Sequence, residues 1–119
     1  MARLRHFAIV SAAFALAGCN QERGKECDQF LSAMKSLDEA MPSADTVERV
    51  RQSVESIRFQ DQPLEVYAKN YASTLGVLAD TLKLQAATPE PPEGTEDVIK
   101  SNLKVARVDR DDTLRYCSR

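Results

Sequence analysis

A regular spacing of apolar residues in the middle of the chain most limits what it can fold into. Leu64, Tyr67, Tyr71, Leu75, Leu78 and Leu82 follow one another at three- and four-residue steps. This is the period of one face of an α-helix. Pro63 stands where a first-turn proline is tolerated, and Asp61 or Gln62 can cap the start. The spacing predicts a helix of about 25 residues that ends near Thr88, roughly 37 Å long.

Small residues lie beside this apolar seam. Ala68, Ala72 and Ala79 predict that a neighbouring helix packs close to it. Gly76 lies in the same helix, where glycine costs about 1 kcal/mol relative to alanine. We interpret Gly76 as a second sign of close helix approach, with a kink as the alternative.

The same period recurs earlier in the chain. One apolar stripe in residues 25–41 is formed by Cys27, Phe30, Leu31, Met34, Leu37 and Met41. Pro42 and Ser43 end this segment. Asp45, with Glu48 three residues later, has the spacing of a capping box and is expected to begin a second helix. Val47, Val50, Val54 and Ile57 continue that helix.

A proline-rich acidic loop separates the long helix from the last segment. It consists of Glu90, Pro91, Pro92, Glu93 and Gly94. Because proline lacks the amide that a helix interior needs, the helix cannot continue through it. Thr95 is expected to cap a fourth helix. The pattern weakens after Val108, so an irregular or extended tail stays open there. Together the segments predict an all-α domain, a small three- or four-helix up-down bundle.

The first twenty residues have the composition of an export signal. Arg3 and Arg5 precede residues 7–17, which carry no charge. This stretch is shorter than the roughly 20 apolar residues that span a membrane, and it ends in small residues. We expect a cleaved signal peptide over residues 1–18.

The end of this segment resembles the lipobox of bacterial lipoproteins at every position, since it reads Leu16-Ala17-Gly18-Cys19. The resemblance implies that Cys19 receives a diacylglycerol on its thiol. It implies cleavage after Gly18 and an N-acyl chain such as palmitate on the new amino terminus. Residues 19–26 would then be the acylated cysteine and a short tether, and residues 27–119 the helical domain. An ordinary secretory signal followed by a chance cysteine is the alternative.

The resemblance also carries expectations about location. Asn20 follows the modified cysteine, and a residue other than aspartate there suggests the outer membrane. The domain would face the periplasm or the cell surface. Its expected partners are the membrane itself, the lipoprotein processing and sorting machinery, and an unknown envelope protein.

Once Cys19 is assigned to the lipid, two cysteines are left. Cys27 and Cys117 form an even pair in an exported, oxidising setting, which predicts a disulfide that staples the bundle. Two free buried thiols are the alternative. The bond would bring the start of the first helix and the end of the last to the membrane side, with the proline-rich loop at the far end.

The composition of the processed chain excludes several function classes. The chain holds 16 Lys and Arg against 18 Asp and Glu. Removing Arg3 and Arg5 with the signal leaves 14 against 18, a net charge near −4. This argues against nucleic acid, which is bound through clustered cations. The one histidine, His6, is lost with the signal, so histidine-based catalysis is excluded. We expect no enzyme, metal or cofactor beyond the covalent lipid.

Function is therefore predicted as a non-catalytic structural or protein-interaction role in the envelope. The loop Glu90–Gly94 is the candidate surface for a partner, and a plain connector is the alternative. A different class of function is a carrier of a small apolar ligand. Its pocket would be formed by Phe30, Met34, Tyr67, Tyr71 and Leu75. The acids Asp109, Asp111 and Asp112 lack the spacing of an EF-hand and are expected on a solvated, salt-paired helix face.

Overall fold

The computed structural model describes residues 21–38 and 41–119. All regular structure in these residues is helical, and no strand occurs among them, which confirms the all-α class. The first helix, α1, covers residues 21–34 and continues into a 3₁₀ turn, Lys35–Leu37. It is followed by α2, Ala44–Glu55, by α3, Gln62–Ala87, and by α4, Thr95–Cys117.

The start of α2 differs from the sequence prediction. Ser43 caps this helix, because its backbone is extended and its side-chain oxygen accepts the Thr46 N–H at 3.2 Å. Asp45 lies inside the first turn, and Glu48 binds Arg51 at the next turn. The predicted capping box of Asp45 and Glu48 is therefore wrong. Ser43 takes the cap because a helix cap needs the non-helical backbone that Asp45 no longer has.

The central helix α3 follows the sequence closely. Asp61, one of the two candidate caps, has extended backbone and accepts the Leu64 N–H at 3.2 Å. Pro63 lies in the first turn, and the helix ends at Ala87, one residue before Thr88. A Cβ atom added to Gly76 would meet only the Arg51 Cδ atom at 3.8 Å, an ordinary contact. The structure thus gives Gly76 no close backbone neighbour, and that interpretation is not supported.

The start of α4 also differs. Gly94, with φ of 87°, occupies the cap position, and Thr95 is already helical. The Thr95 hydroxyl donates to the Pro92 carbonyl at 2.6 Å and is buried. The prediction that Thr95 caps the helix is therefore wrong. Beyond Val108 the chain stays helical as far as Cys117, so the irregular tail does not occur.

The core lies between the four helices. Tyr71 of α3 packs edge-on against Phe30 of α1, with ring centroids 5.8 Å apart, and Phe30 packs in the same way on Phe59 at 5.7 Å. The most completely buried apolar side chains come from all four helices: Phe30, Met34, Val47, Val54, Leu64, Tyr71, Leu75, Leu78 and Ile99. Burial of this apolar set is the main favourable term for the fold.

Contacts at the helix ends show how the helices run. Cys27 near the start of α1 is bonded to Cys117 at the end of α4. Tyr116, beside Cys117, binds Asp61 at the start of α3. Phe59, just after α2, packs on Phe30. Thus α1 and α3 begin at this end of the bundle and α2 and α4 finish there, so sequential helices alternate in direction. We call it the stapled end.

Candidate functional site

The disulfide forms the centre of the stapled end. Cys27 and Cys117 are bonded, with their Cα atoms 5.9 Å apart and 90 positions of sequence between them. Cys27 is buried, and Cys117 is partly buried against the core. The predicted pairing is confirmed. The bond holds the first and last described helices together at the side on which the chain enters the bundle.

Glu26 is a feature of this end that the sequence pattern did not reveal. Its side chain is 7% exposed, although a carboxylate is rarely buried without partners. One carboxylate oxygen accepts the Gln60 N–H and the other accepts the Asp61 N–H at 3.2 Å. Glu26 therefore satisfies two backbone amides at the turn that precedes α3. The contact spans 34 residues of sequence, so no local pattern indicates it.

Tyr116 closes the same end from α4. Its hydroxyl donates to the Asp61 carboxylate at 2.7 Å, and its ring packs on Tyr67 with centroids 5.8 Å apart. The Arg23 guanidinium lies 5.7 Å from the ring centroid. Burial, and then the hydrogen bond and charge of Asp61, raise the pKa of Tyr116 above its usual range. The phenol therefore keeps its proton and acts as a donor that ties α4 to α3.

Cys19, the cysteine of the predicted lipobox, and residues 1–18, predicted as a signal peptide, lie outside the described residues. The described residues begin at Gln21, which is already helical. Residues 21–26, expected as part of a tether, are helical and lead into Cys27 without a break. A helix rises about 1.5 Å per residue, so this segment spans roughly 9 Å, well short of its extended reach.

The proline-rich loop lies at the opposite end, between α3 and α4. Glu90, Pro92, Glu93 and Gly94 are exposed, and Pro91 is half-buried. Within the described part of the chain, neither glutamate of the loop takes part in an ion pair. The loop therefore presents two free carboxylates on a short segment stiffened by prolines. We call this the distal end.

The residues predicted to form a ligand pocket are only partly brought together. Phe30, Met34, Tyr71 and Leu75 are at most 2% exposed and belong to one core cluster, in which Phe30 and Tyr71 are in contact. Tyr67 instead lies half-buried against Tyr116 at the stapled end. The cavity beside Met34 and Tyr71 measures about 10 Å³, which is at the lower limit of what one water molecule needs and far below the size of a ligand site.

A much larger concavity lies between α2 and α3, where the sequence did not indicate one. It measures about 630 Å³. Its apolar lining comes from Val54, Ile57, Phe59, Ala68 and Ala72. Its charged rim consists of Arg51, Glu55, Arg58, Glu65 and Lys69. Most of these charges are paired, since Arg51 binds Glu48 and Glu55 and Lys69 binds Glu65. We call it the α2–α3 groove.

A second groove of about 530 Å³ separates α1 from α4. It carries three cations, Lys35, Arg107 and Arg110, and Arg110 is paired with Asp38 across the groove. This pairing links the end of α1 to the middle of α4. The groove is thus partly neutralised by its own acid, and its charged groups hold two helices together.

The aspartates of α4 behave as a salt-paired helix face. Asp112 binds Arg115, and Asp111 lies 3.9 Å from the Arg110 guanidinium. Burial, and then the charge of Asp112, raise the pKa of Asp109. In the described ranges no group of three or more potential ligands could hold a metal ion.

The chain has no match among protein-family models, curated proteins or solved structures. Within residues 21–38 and 41–119, no helix is long and apolar enough to cross a membrane.

Proposed function

We propose that the chain is a bacterial lipoprotein held on the membrane by acylated Cys19, with a non-catalytic structural or protein-interaction role in the cell envelope. The fold proposed is an up-down bundle preceded by a cleaved signal peptide. The observation that carries the proposal is the stapled end, since the disulfide, Glu26 and Tyr116 all brace the place where the chain leaves the lipobox.

This geometry suits a short anchor. Helix α1 is already formed at Gln21, two residues after Cys19. A lipid on Cys19 would therefore keep the stapled end at the membrane surface. The distal end then points away from the lipid, toward the periplasm or the outside of the cell, and the outer membrane is the proposed location.

The residues present favour binding over catalysis. The chain's one histidine is His6, in the proposed signal. Tyr71 and Tyr116 both have raised pKa values, caused first by burial, so neither is poised to act as a base. Exposed carboxylates in the loop Glu90–Gly94 lack the desolvation that general acid–base catalysis needs. In this proposal the helical bundle holds the surfaces that contact a partner in fixed positions.

Lipidation is tested by labelling cells that express the full chain with an alkynyl fatty acid and separating their membranes. We expect label and membrane association in the wild type and their loss in Cys19→Ser. Cys27→Ser is the matched control, because it removes a cysteine without touching the lipobox. An unlabelled wild-type chain that still carries residues 1–18 would overturn the proposal.

The distal loop is tested by photo-crosslinking in intact cells. The variant Glu90→Gln/Glu93→Gln removes both charges, while the prolines and the Gly94 turn stay in place. A partner that binds through the loop should be captured less by this variant and unchanged by Glu55→Gln, an exposed acid of α2. Equal capture by both variants would make the loop a connector.

A carrier of a small amphipathic ligand is the second candidate. The α2–α3 groove favours it, since its 630 Å³ lies within the roughly 300–1,000 Å³ usual for ligand sites. Titration with a fluorescent fatty acid tests this candidate. We expect Ser73→Trp, which fills the groove from an exposed position, to abolish binding, and Gln52→Trp on the outside of α2 to leave it unchanged. Binding that ignores Ser73→Trp would exclude the groove.

A further inference from the structure

Large exposed apolar side chains cluster on one side of the bundle. The described residues hold eight that are more than 40% exposed, and seven of them lie on α3 and α4. Among these seven are Val77, Leu84, Val98, Val105 and Val108. Isolated exposed apolar residues are ordinary, whereas several on one surface indicate an interaction site.

Helical spacing places these residues side by side. On α4, Val98, Val105 and Tyr116 are separated by seven and eleven residues, so they fall on one line along the helix. On α3, Tyr67, Thr74 and Thr81 fall on one line for the same reason. The contact of Tyr67 with Tyr116 joins the two lines and shows that they face each other.

The remaining apolar residues lie one step outward from these lines. Val77 and Leu84 each follow a residue of the α3 line by three positions, and Val108 follows Val105 by three. Val77 is 50% exposed and Val108 is 48% exposed, as this outward position requires. We call the surface they share the α3–α4 face.

The middle of this face lacks charge, and the charged residue Asp112 lies on the α4 line only nearer the stapled end. From Asn70 to Leu84 on α3 and from Val98 to Val108 on α4, the side chains directed to it are valine, leucine, threonine, serine and asparagine. The α2–α3 and α1–α4 grooves, by contrast, are rimmed with ion pairs. In a chain with 29% charged residues, such a surface is suited to another uncharged surface.

We infer that the α3–α4 face is a homodimer interface, in which two copies stand side by side with their stapled ends on the same side. The orientation rests on the proposed lipid anchor, which fixes both stapled ends to one membrane. The two-fold axis then runs along the bundle, so α3 of each copy lies over α4 of the other. Such an isologous contact is the usual form of a soluble homodimer.

Charge at the edge of the face supports the same orientation. Asp80 and Lys104 are exposed, and neither forms an ion pair within the described residues. The antiparallel register set by Tyr67 and Tyr116 puts Asp80 and Lys104 at nearly the same height on α3 and α4. With the axis along the bundle, Asp80 of one copy meets Lys104 of the other. With the axis across the helices at this height, Lys104 of one copy would lie beside Lys104 of the other copy, and the two positive charges would repel.

The area of the α3–α4 face sets the expected stability of the dimer. From Asn70 to Leu84, α3 rises about 21 Å, and two packed helices are about 20 Å wide. This footprint of about 400 Å² is smaller than the roughly 800 Å² per partner of a standard interface. The dimer should therefore be weak in dilute solution and populated where anchors hold both copies on one surface.

The test uses the full chain in membranes of the expressing cells and a short bis-maleimide crosslinker. Thr81→Cys and Val105→Cys each place one thiol on the face, and Gln52→Cys on α2 is the control. The native disulfide and the acylated Cys19 leave no other reactive thiol. We expect dimers from the first two variants and only background from Gln52→Cys.

A charge exchange in the Val105→Cys background tests the orientation. Asp80→Lys alone and Lys104→Asp alone should each lower the crosslinked fraction about tenfold, since two edge contacts turn repulsive. The double exchange should restore it. Both positions are exposed, so loss of fold does not explain a loss that the second change repairs.

Several outcomes would overturn this inference. Crosslinking at Thr81→Cys and Val105→Cys no higher than at Gln52→Cys excludes the interface. Efficient crosslinking without rescue by the double exchange excludes the parallel orientation. Membrane fractionation of the same samples reports the anchor separately, so a chain that is membrane-bound yet not crosslinked contradicts the dimer alone.

Discussion

The two ends of the bundle are built in different ways. At the stapled end, a disulfide, a buried carboxylate and a tyrosine hydroxyl join residues that are 90, 34 and 55 positions apart in sequence. At the distal end, the described bonds are local, such as the Thr95 hydroxyl to Pro92 three residues earlier. One end is held by long-range connections and the other by its own turn geometry.

This difference separates two tasks within one small domain. Long-range bonds at the stapled end restrict how α1, α3 and α4 can move relative to one another. The distal loop is tied only to its neighbours, so its sequence can change with little effect on the core. Loops on a braced scaffold are common binding sites. The comparison predicts large stability effects at the stapled end and small ones in the distal loop.

Removing the disulfide should give the largest effect. The pair Cys27→Ala/Cys117→Ala releases a loop closure across 90 positions. On the chain-entropy account this lowers the free energy of unfolding by about 4–5 kcal/mol. Urea unfolding followed by circular dichroism measures it, with Cys19→Ser as the control that leaves the staple intact. A loss below about 1 kcal/mol would mean that the staple does not restrict the unfolded chain.

Glu26→Ala should give the next largest loss, because it leaves the Gln60 and Asp61 amides without their acceptor. Hydrogen bonds to charged groups contribute about 1.5–3 kcal/mol. Glu26→Gln keeps one acceptor oxygen and should lose less. The distal control, Glu93→Ala, should change the free energy of unfolding by less than about 0.5 kcal/mol. Equal losses from Glu26→Ala and Glu93→Ala would remove the distinction between the ends.

Gly94 is the position of the distal end at which a substitution should lower the stability of the fold. Its φ of 87° is left-handed, a conformation that costs a residue with a Cβ about 1–2 kcal/mol. Gly94→Ala should therefore lower the melting temperature. Gly76→Ala is the matched control, since its Cβ has room and should raise stability by about 0.5–1 kcal/mol. Melting temperatures that change in the same direction for Gly94→Ala and Gly76→Ala would contradict this account.

Tyr116→Phe should give the smallest loss, about 1 kcal/mol near neutral pH, through the missing bond to Asp61. The pKa of Tyr116 is raised in the folded state, so the folded chain holds this proton more tightly than the unfolded chain. Stability from Tyr116 is present below the unfolded pKa of about 10 and is lost as the pH rises through the folded pKa. Urea midpoints should show wild type and Tyr116→Phe converging above pH 10. A difference in urea midpoint that stays constant above pH 10 would exclude a contribution of Tyr116 ionisation to stability.

Local sequence pattern predicted the helices, but among their caps only Asp61 of α3 was one of the predicted candidates. The apolar spacing of α3 located its end within one residue, because eight of its side chains are buried along one face. Caps were predicted less well. Ser43 and Asp45 are both residue types that could cap α2, and Gly94 and Thr95 are both residue types that could cap α4. The choice depends on backbone angles that neighbouring helices impose, which residue types alone do not specify.

The candidate site also contains some features that the sequence predicted and others that it did not. Counting cysteines predicted the Cys27–Cys117 bond, because only two cysteines were left for the fold. Glu26 and Tyr116 could not be predicted, since their partners become neighbours only when distant helices pack. The α2–α3 groove likewise arises between two helices and has no motif. The α3 side of the α3–α4 face was present in the sequence as Val77 and Leu84, but the sequence prediction considered only the apolar residues that repeat with the period of the core.

The central claim is that the three cysteines divide between membrane and fold. It is tested most directly by the intact mass of the chain, extracted from membranes and treated with an alkylating reagent without reduction. The account predicts one species that begins at Cys19, carries the diacylglycerol and N-acyl groups, and takes up no alkylating reagent at Cys27 or Cys117. A species that retains Met1 and has Cys19 alkylated would contradict it.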